Sequence, residues 1–270
     1  MNLNRRSMII ATAGMSLTAC VGIAPAPRPR RLTVATFNIW HDMSDWKARL
    51  PLIVAALRGI DADVIALQEV LQDAAKSLPN QADTIAKALG DYSAHFFSTD
   101  PAGAPRRYGN AILSRVPVLA ETAKKLQPLD DYRTALRLRV VAHGRPIDVV
   151  VTHLAWQEDA GSVRARQVAD LLAWLPNDGV PLIVLGDFNA PLTDSGLATL
   201  TSSRFASALP LGAARTTLNP AQKHPERVID HIFAERGHFA VERSQVFADQ
   251  PTAGEYPSDH FGVVATLALR

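Results

Sequence analysis

Carboxylates, amides and imidazoles recur at the ends of apolar runs in this sequence. Asn38 closes LTVATFN, Glu69 closes DVIALQE, His153 ends DVVVTH, and Asp187 and Asn189 follow PLIVLG. Asp230 lies inside VIDHIF, and Asp259 and His260 precede a final apolar run. A core strand has no reason to end in an acid, whereas a site assembled at strand ends does. Counting back by two from Glu69 puts Leu67 and Ile65 on its face. The i, i+2 spacing of Asp187 and Asn189 aims both the same way if the strand runs through them. In VIDHIF, Val228, Asp230 and Ile232 share one face, and Ile229, His231 and Phe233 share the other. An ionised Asp230 buried there needs a cationic or hydrogen-bonding partner.

The oxygen donors Glu69, Asn38 and Asp259 suit a hard cation, Mg2+ with Mn2+ as its substitute, which takes few carboxylates plus water and phosphate oxygens. The histidines lack HExxH spacing and Cys20 is the single cysteine, so a zinc protease is excluded. GxSxG, GxxxxGK[ST] and GxGxxG are all absent, which removes an α/β-hydrolase, a P-loop ATPase and a dinucleotide enzyme. Taken singly, each Asp or Asn after a strand is a turn former or helix cap. The argument rests on the set.

The elements that must carry this set form a mixed α/β pattern. Residues 32–39, 63–70, 94–98, 110–113, 116–124, 135–141, 147–153, 181–185, 228–233, 239–246 and 263–269 read as strands. Residues 44–58, 74–89 and 162–175 read as helices; the first carries Trp46, Leu50, Ile53, Val54 and Leu57 on one side, and the second stops at Gly90. The short strands after residue 94 leave little room for helices, so much of the pairing is antiparallel. The expected fold is α/β (α+β): two mixed or antiparallel sheets packed face to face, with helices outside. With 47% hydrophobic and 20% charged residues over 270, the chain has a globular composition.

The N-terminus reads as an address. Arg5 and Arg6 precede the uncharged stretch from Met8 to Ala19, too short to span a bilayer but right for a signal peptide. The pair suits twin-arginine or ordinary export equally. Leu17-Thr18-Ala19-Cys20 resembles a bacterial lipobox, with Cys20 as the lipidated residue. Residues 1–19 are then the signal peptide, 20–31 a stiff Pro/Arg-rich tether and 32–270 the domain. Val21, in place of Asp, resembles the pattern of lipoproteins sorted to the outer membrane, facing the periplasm. Five of the 28 Lys and Arg lie at or before Arg31 and no acid precedes Asp42, so from Leu32 onward acids outnumber bases, 26 to 23. That balance gives no support for tight, sequence-independent binding to a polyanion.

The motifs together resemble the endonuclease/exonuclease/phosphatase superfamily. They are ATFNIW, LQEV, YGNAILSR, THL, GDFNA, VIDHIF and SDHFGV, in family order over nearly all of residues 32–270. The resemblance implies a four-layer sandwich with its site at one mouth of the sheets. It implies Glu69 as main metal ligand, with Asn38 and Asp259 beside it. It also implies His260, oriented by Asp230, at the scissile phosphate, and Asp187, helped by Asn189, on the attacking water. His153 would bind a phosphate oxygen, supported by Tyr108 and Asn110, and Arg133 would reach the phosphate. Asn110 stands where deoxyribonuclease-like members carry Glu, a departure from the strict nuclease pattern. His231 reads as a satisfied core or rim side chain. The remaining histidines, His41, His95, His143, His224 and His238, read as loop or surface residues, with His41 close enough to Asn38 to line the site. The expected activity is hydrolysis of a phosphate ester by a monomer held to the membrane by its lipid. The substrate is a nucleic acid, a phospholipid headgroup, an inositol phosphate or another small phosphodiester. The rival reading is an inactive family member serving as an envelope binding module.

Overall fold

The apolar runs pair into two six-stranded sheets in the computed structural model, which describes residues 30–270. The signal peptide, Cys20 and nearly all of the tether lie outside the described residues. The first sheet contains β1 (Arg31–Asn38), β2 (Val64–Asp73), β3 (Ser93–Ser98), β4 (Arg106–Ser114), β11 (Phe239–Phe247) and β12 (Gly262–Leu269), in the order β11-β12-β1-β2-β4-β3. The second contains β5 (Val118–Lys125), β6 (Thr134–Ala142), β7 (Arg145–His153), β8 (Leu182–Asp187), β9 (Phe205–Ser207) and β10 (Asp230–Glu235), in the order β5-β6-β7-β8-β10-β9. Both sheets are mixed: β1–β2 and β7–β8 are parallel, and the other pairings are antiparallel.

Period-two alternation builds the layers. Leu32 and Val34 of β1 face a central core with Val149 and Val151 of β7 and Ile183 and Leu185 of β8. Ala35 and Phe37 face the other way, onto Ile53 and Leu57 of α1 (Trp46–Ile60) and Ile85 of α2 (Gln81–Leu89). Val150 and Val184 meet Val168 and Leu171 of α3 (Gly161–Trp174) on the far side. The result is the expected four-layer sandwich, helices outside two sheets.

Three local readings change. The helix expected over 74–89 is a 3-10 turn (Ala74–Lys76), a bridge of Leu78 back to Asp73, and then α2, capped by Asn80. Pro79 explains the break: it has no N–H to donate and pushes Leu78 out of the helical region. β9 is too short, at three residues, to give a periodic signal. In β2 the register slips between Leu67 and Val70 opposite β4, and Glu69 takes φ +60. That bulge takes Glu69 off the Leu67–Ile65 face, which packs against the helices, and turns it toward the inter-sheet mouth.

β1, β2, β7 and β8 all finish at one end of the sandwich, and β10 and β12 start there. The polar ends noticed in the sequence therefore converge on one mouth.

Candidate active site

The site begins as a row across the second sheet. Register places His153 of β7 beside Asp187 of β8, and Asp187 beside Asp230 of β10. Gly186 makes the approach possible: a Cβ there would lie 1.9 Å from the Thr152 carbonyl oxygen. From the first sheet, Asn38 reaches across. Its Nδ2 donates to Asp187 Oδ2 at 3.0 Å and to Glu69 Oε1 at 3.2 Å, while its Oδ1 accepts the Trp40 N–H. Asp259 and His260 enter on the loop before β12, which Asn219 clamps through the Asp259 and Ser258 carbonyls. Ser258 Oγ ties that loop to the Asn38 carbonyl at 2.7 Å.

Asp187 Oδ2 is the centre of the cluster, 3.4 Å from His153 Nε2 and 3.7 Å from His260 Nε2. His260 Nδ1 donates to Asp230 Oδ2 at 3.0 Å. Burial alone would raise Asp187, but His153, His260 and the Asn38 amide hold it below the usual carboxylate range. Burial disfavours the His260 cation, yet Asp230 and Asp187 raise it well above an ordinary histidine. Burial pushes Asp230 up to about 6 against the pull of His260. At neutral pH the pair is an imidazolium and a carboxylate. His153 is the opposite case: burial and then Arg133 lower it to about 3, so it stays neutral. Asp187, Asp230 and His260 offer donor atoms within 4.8 Å of one another. A protonated His260 between the two carboxylates offsets one of their two charges.

Beside it lie two unbalanced edges. Glu69 is raised by burial and next by the Asp259 charge, which His260 only partly offsets, and an imidazole stands beside each carboxylate, His41 Nε2 at 3.9 Å from Glu69 and His224 Nε2 at 3.2 Å from Asp259. Arg133 is buried, and its Nε and Nη1 have no hydrogen-bond partner among the described residues. Asp131 comes no nearer to that Nε than 3.8 Å. Arg133 shares a small cavity with Tyr108, Asn110, Tyr132, Thr134 and His153. A buried guanidinium with idle donors beside a neutral imidazole has the chemistry to receive an anion.

Thus Asn38, Glu69, His153, Asp187, Asp230, Asp259 and His260 come together, with Tyr108, Asn110 and Arg133 around the adjoining cavity. Some assignments shift. Asn110 Nδ2 donates to Thr134 Oγ1 at 3.0 Å, joining the two sheets, and among the described residues neither it nor Tyr108 hydrogen-bonds His153. Asn189 does not continue the strand; it takes φ +51 and turns its amide to the Leu154 carbonyl. It supports the site through its N–H, which donates to Asp187 Oδ1 at 2.9 Å. Asn38 presents its amide N–H groups, not its oxygen, to the carboxylates. His231 is a core side chain whose Nε2 donates to Ala190 O at 2.9 Å, although its Nδ1 has no partner among the described residues. His224 is not merely a surface residue, since its Nε2 donates to Asp259 Oδ2 at 3.2 Å. His95 sits in β3, paired with Glu121.

Two positioning residues carry no motif of their own. Arg49 of α1 is buried and donates to five backbone carbonyls, those of Ile39, Trp40, His41, Met43 and Pro257, fixing both loops that flank the carboxylates. Arg164 of α3 does the same for the loop after His153, through Ala155, Gln157 and Glu158 carbonyls and Asp194. A signal was available for the first: Arg49 lies four residues before Ile53, on the apolar side of its helix.

Comparison with known proteins agrees with this fold. The model of the Endonuclease/Exonuclease/phosphatase family matches residues 35–260. The uncharacterized protein YbhP of Escherichia coli is 30% identical over 171 residues, 58% of this chain and 66% of the relative's own length. The human nocturnin catalytic domain, solved with a bound sulfate anion, superposes with TM-score 0.73 at 21% identity, covering 89% of this chain and 94% of its own. A mannosyl-6-phosphatase of Bacteroides thetaiotaomicron gives TM-score 0.68 at 21% identity, covering 88% and 99%. At such identities these two structures establish the fold alone. The chain belongs to the endonuclease/exonuclease/phosphatase family.

Proposed function

We propose that this member of the family is a divalent-cation-dependent phosphohydrolase that cleaves a phosphate ester by in-line attack of water. The observation that supports it most is the juxtaposition of the buried Arg133 guanidinium, with idle donors beside His153, and two partly buried carboxylates, Glu69 and Asp259, of which the second raises the first. Nocturnin's bound sulfate, an anion of phosphate's shape, and the phosphatase named among the structural neighbours are consistent with it.

The donor set is oxygen-rich and partly buried, which fits Mg2+ or Mn2+ held by Glu69 and Asp259 with Asn38 orienting Glu69. When bound, such an ion supplies positive charge to the phosphoryl oxygens and the leaving oxyanion. The chain's own groups do the rest. Arg133 and neutral His153 hold the phosphate. Asp187, kept ionised by the His260 imidazolium and by the N–H donors of Asn38 and Asn189, orients the attacking water and accepts its proton. His260, kept protonated by Asp230, donates a hydrogen bond to an oxygen of the pentacovalent phosphoryl group. Asp230 acts through His260 as its positioning residue. The lipobox at Cys20 extends the proposal to place: the bacterial cell envelope, as an outer-membrane lipoprotein facing the periplasm.

The test is steady-state hydrolysis of bis(p-nitrophenyl) phosphate with Mg2+ or Mn2+, by wild type, Asp230→Asn, His260→Ala and the double variant. We expect each single variant to lose about 10²-fold or more in kcat, and the double to lose little more than His260→Ala. Additive losses would show that the two do not act as a unit, and an inactive wild type would contradict the phosphohydrolase reading.

A further inference from the structure

The cleft beside the mouth has no occupant in the mechanism above. It measures about 310 Å³ and is lined by His41, Thr99, Asp100, Arg106, Tyr108 and Tyr132. That volume is at the lower end of small-ligand sites. Tyr108 and Tyr132 also wall the small cavity that contains Arg133 and His153, so the cleft and that cavity share two side chains.

Tyr132 precedes β6 and is 48% exposed, yet it is held in place. The Arg133 guanidinium lies over its ring, 4.4 Å from the centroid. The Tyr108 ring meets it edge-on at 5.9 Å, and Tyr108 is met in turn by His41 at 5.9 Å. An exposed aromatic fixed by its neighbours stacks a ligand at small ordering cost. The other walls are polar. Asp100 Oδ2 accepts the Ser98 hydroxyl at 2.7 Å and the Tyr108 N–H at 2.9 Å, while its Oδ1 takes no donor among the described residues.

We propose that this cleft receives the organic half of the substrate, and that this half is a flat, hydrogen-bonding ring such as a nucleobase, stacked on Tyr132 and read by Asp100 and Thr99. The proposal rests on reading the Arg133–His153 cavity as the phosphate seat. A lipid tail would need apolar walls, which Thr99, Asp100 and Arg106 do not supply. A long polyanion would need a basic track. The cleft offers a single cation, Arg106, already 3.8 Å from Asp73. What fits is one small ring joined to one phosphate.

Equilibrium binding separates this from catalysis. Calorimetric titration in EDTA, where turnover is suppressed, compares adenosine 5′-monophosphate with ribose 5-phosphate, which has the same phosphate and no base. We expect wild type to bind the nucleotide about tenfold more tightly, the usual size of one base–aromatic stack. Tyr132→Ala should bring the two within about twofold, and Tyr132→Phe should retain the preference. Equal or undetectable binding of the two by wild type, or a preference that survives Tyr132→Ala, overturns the proposal. A base preference in a protein that hydrolyses no phosphate ester would sustain it while refuting the phosphohydrolase reading.

Discussion

His231 shows how a neighbour in sequence can belong to different physics. Asp230 faces the mouth, and one residue on His231 faces Phe188 and Phe233, fully buried. Alternation made that legible, as it made legible the need of Asp230 for a partner, which His260 meets. Burial lowers His231 to about 4 from 6.5. Between those values the unfolded chain binds a proton that the fold refuses, so stability falls as pH falls through the window and levels below it. The contribution is on the order of 3 kcal/mol, since each tenfold loss of proton affinity is worth about 1.4 kcal/mol. Melting temperature measured from pH 6.5 to 4 should therefore decline less steeply in His231→Phe than in wild type. Parallel curves would mean that His231 is not held neutral. Glu69 was the residue misjudged at this scale. Its identity was plain, but its direction depends on a bulge, and an extra residue in a strand leaves no mark in hydrophobic alternation.

At the scale of elements, the strands and helices that carry the site were readable because each has an apolar face of one period. What joins them was not. Arg49 is the main case: one guanidinium serves five carbonyls of two loops remote in sequence. The Arg49→Leu change retains apolar packing on α1 and removes every one of those donors. Each buried carbonyl left unpaired costs about 1–3 kcal/mol, less where water replaces the donor. We expect a loss of at least about 3 kcal/mol, on the order of 6–12 °C in melting temperature for a domain of this size. A variant that melts within about 2 °C of wild type, less than 1 kcal/mol in a domain of this size, would show that the loops hold themselves. The break at Pro79 and the turn at Asn189 belong to the same class, since both are set by local backbone limits that a periodicity count passes over.

The whole molecule repeats one device twice. In each sheet a parallel strand pair ends at the mouth, and a buried arginine on the outer helix fixes the loop that follows, Arg49 after β1 and Arg164 after β7. Arg133 and His153 lie on one sheet's side and the carboxylate pair on the other, so the site exists only when the sheets pack. Among the described residues no helix is long and apolar enough to cross a membrane. The proposed attachment through Cys20 makes a clear prediction. A Cys20→Ser protein should lose lipid labelling and, once its leader is cleaved, leave the membrane fraction in high salt. A cleaved variant that stays membrane-bound would refute the lipoprotein assignment.

The central claim is that the mouth hydrolyses phosphate esters with a divalent cation held at Glu69. Turnover of an aryl phosphodiester across a Mg2+ titration, by wild type and Glu69→Gln, tests it most directly. We expect EDTA to abolish wild-type activity and Mg2+ to restore it. Glu69→Gln, which keeps the side chain's shape and loses its charge, should need far more Mg2+ and reach a kcat lower by at least about 10²-fold. Wild-type activity that survives EDTA, or a Glu69→Gln protein that turns over normally at low Mg2+, would contradict the account.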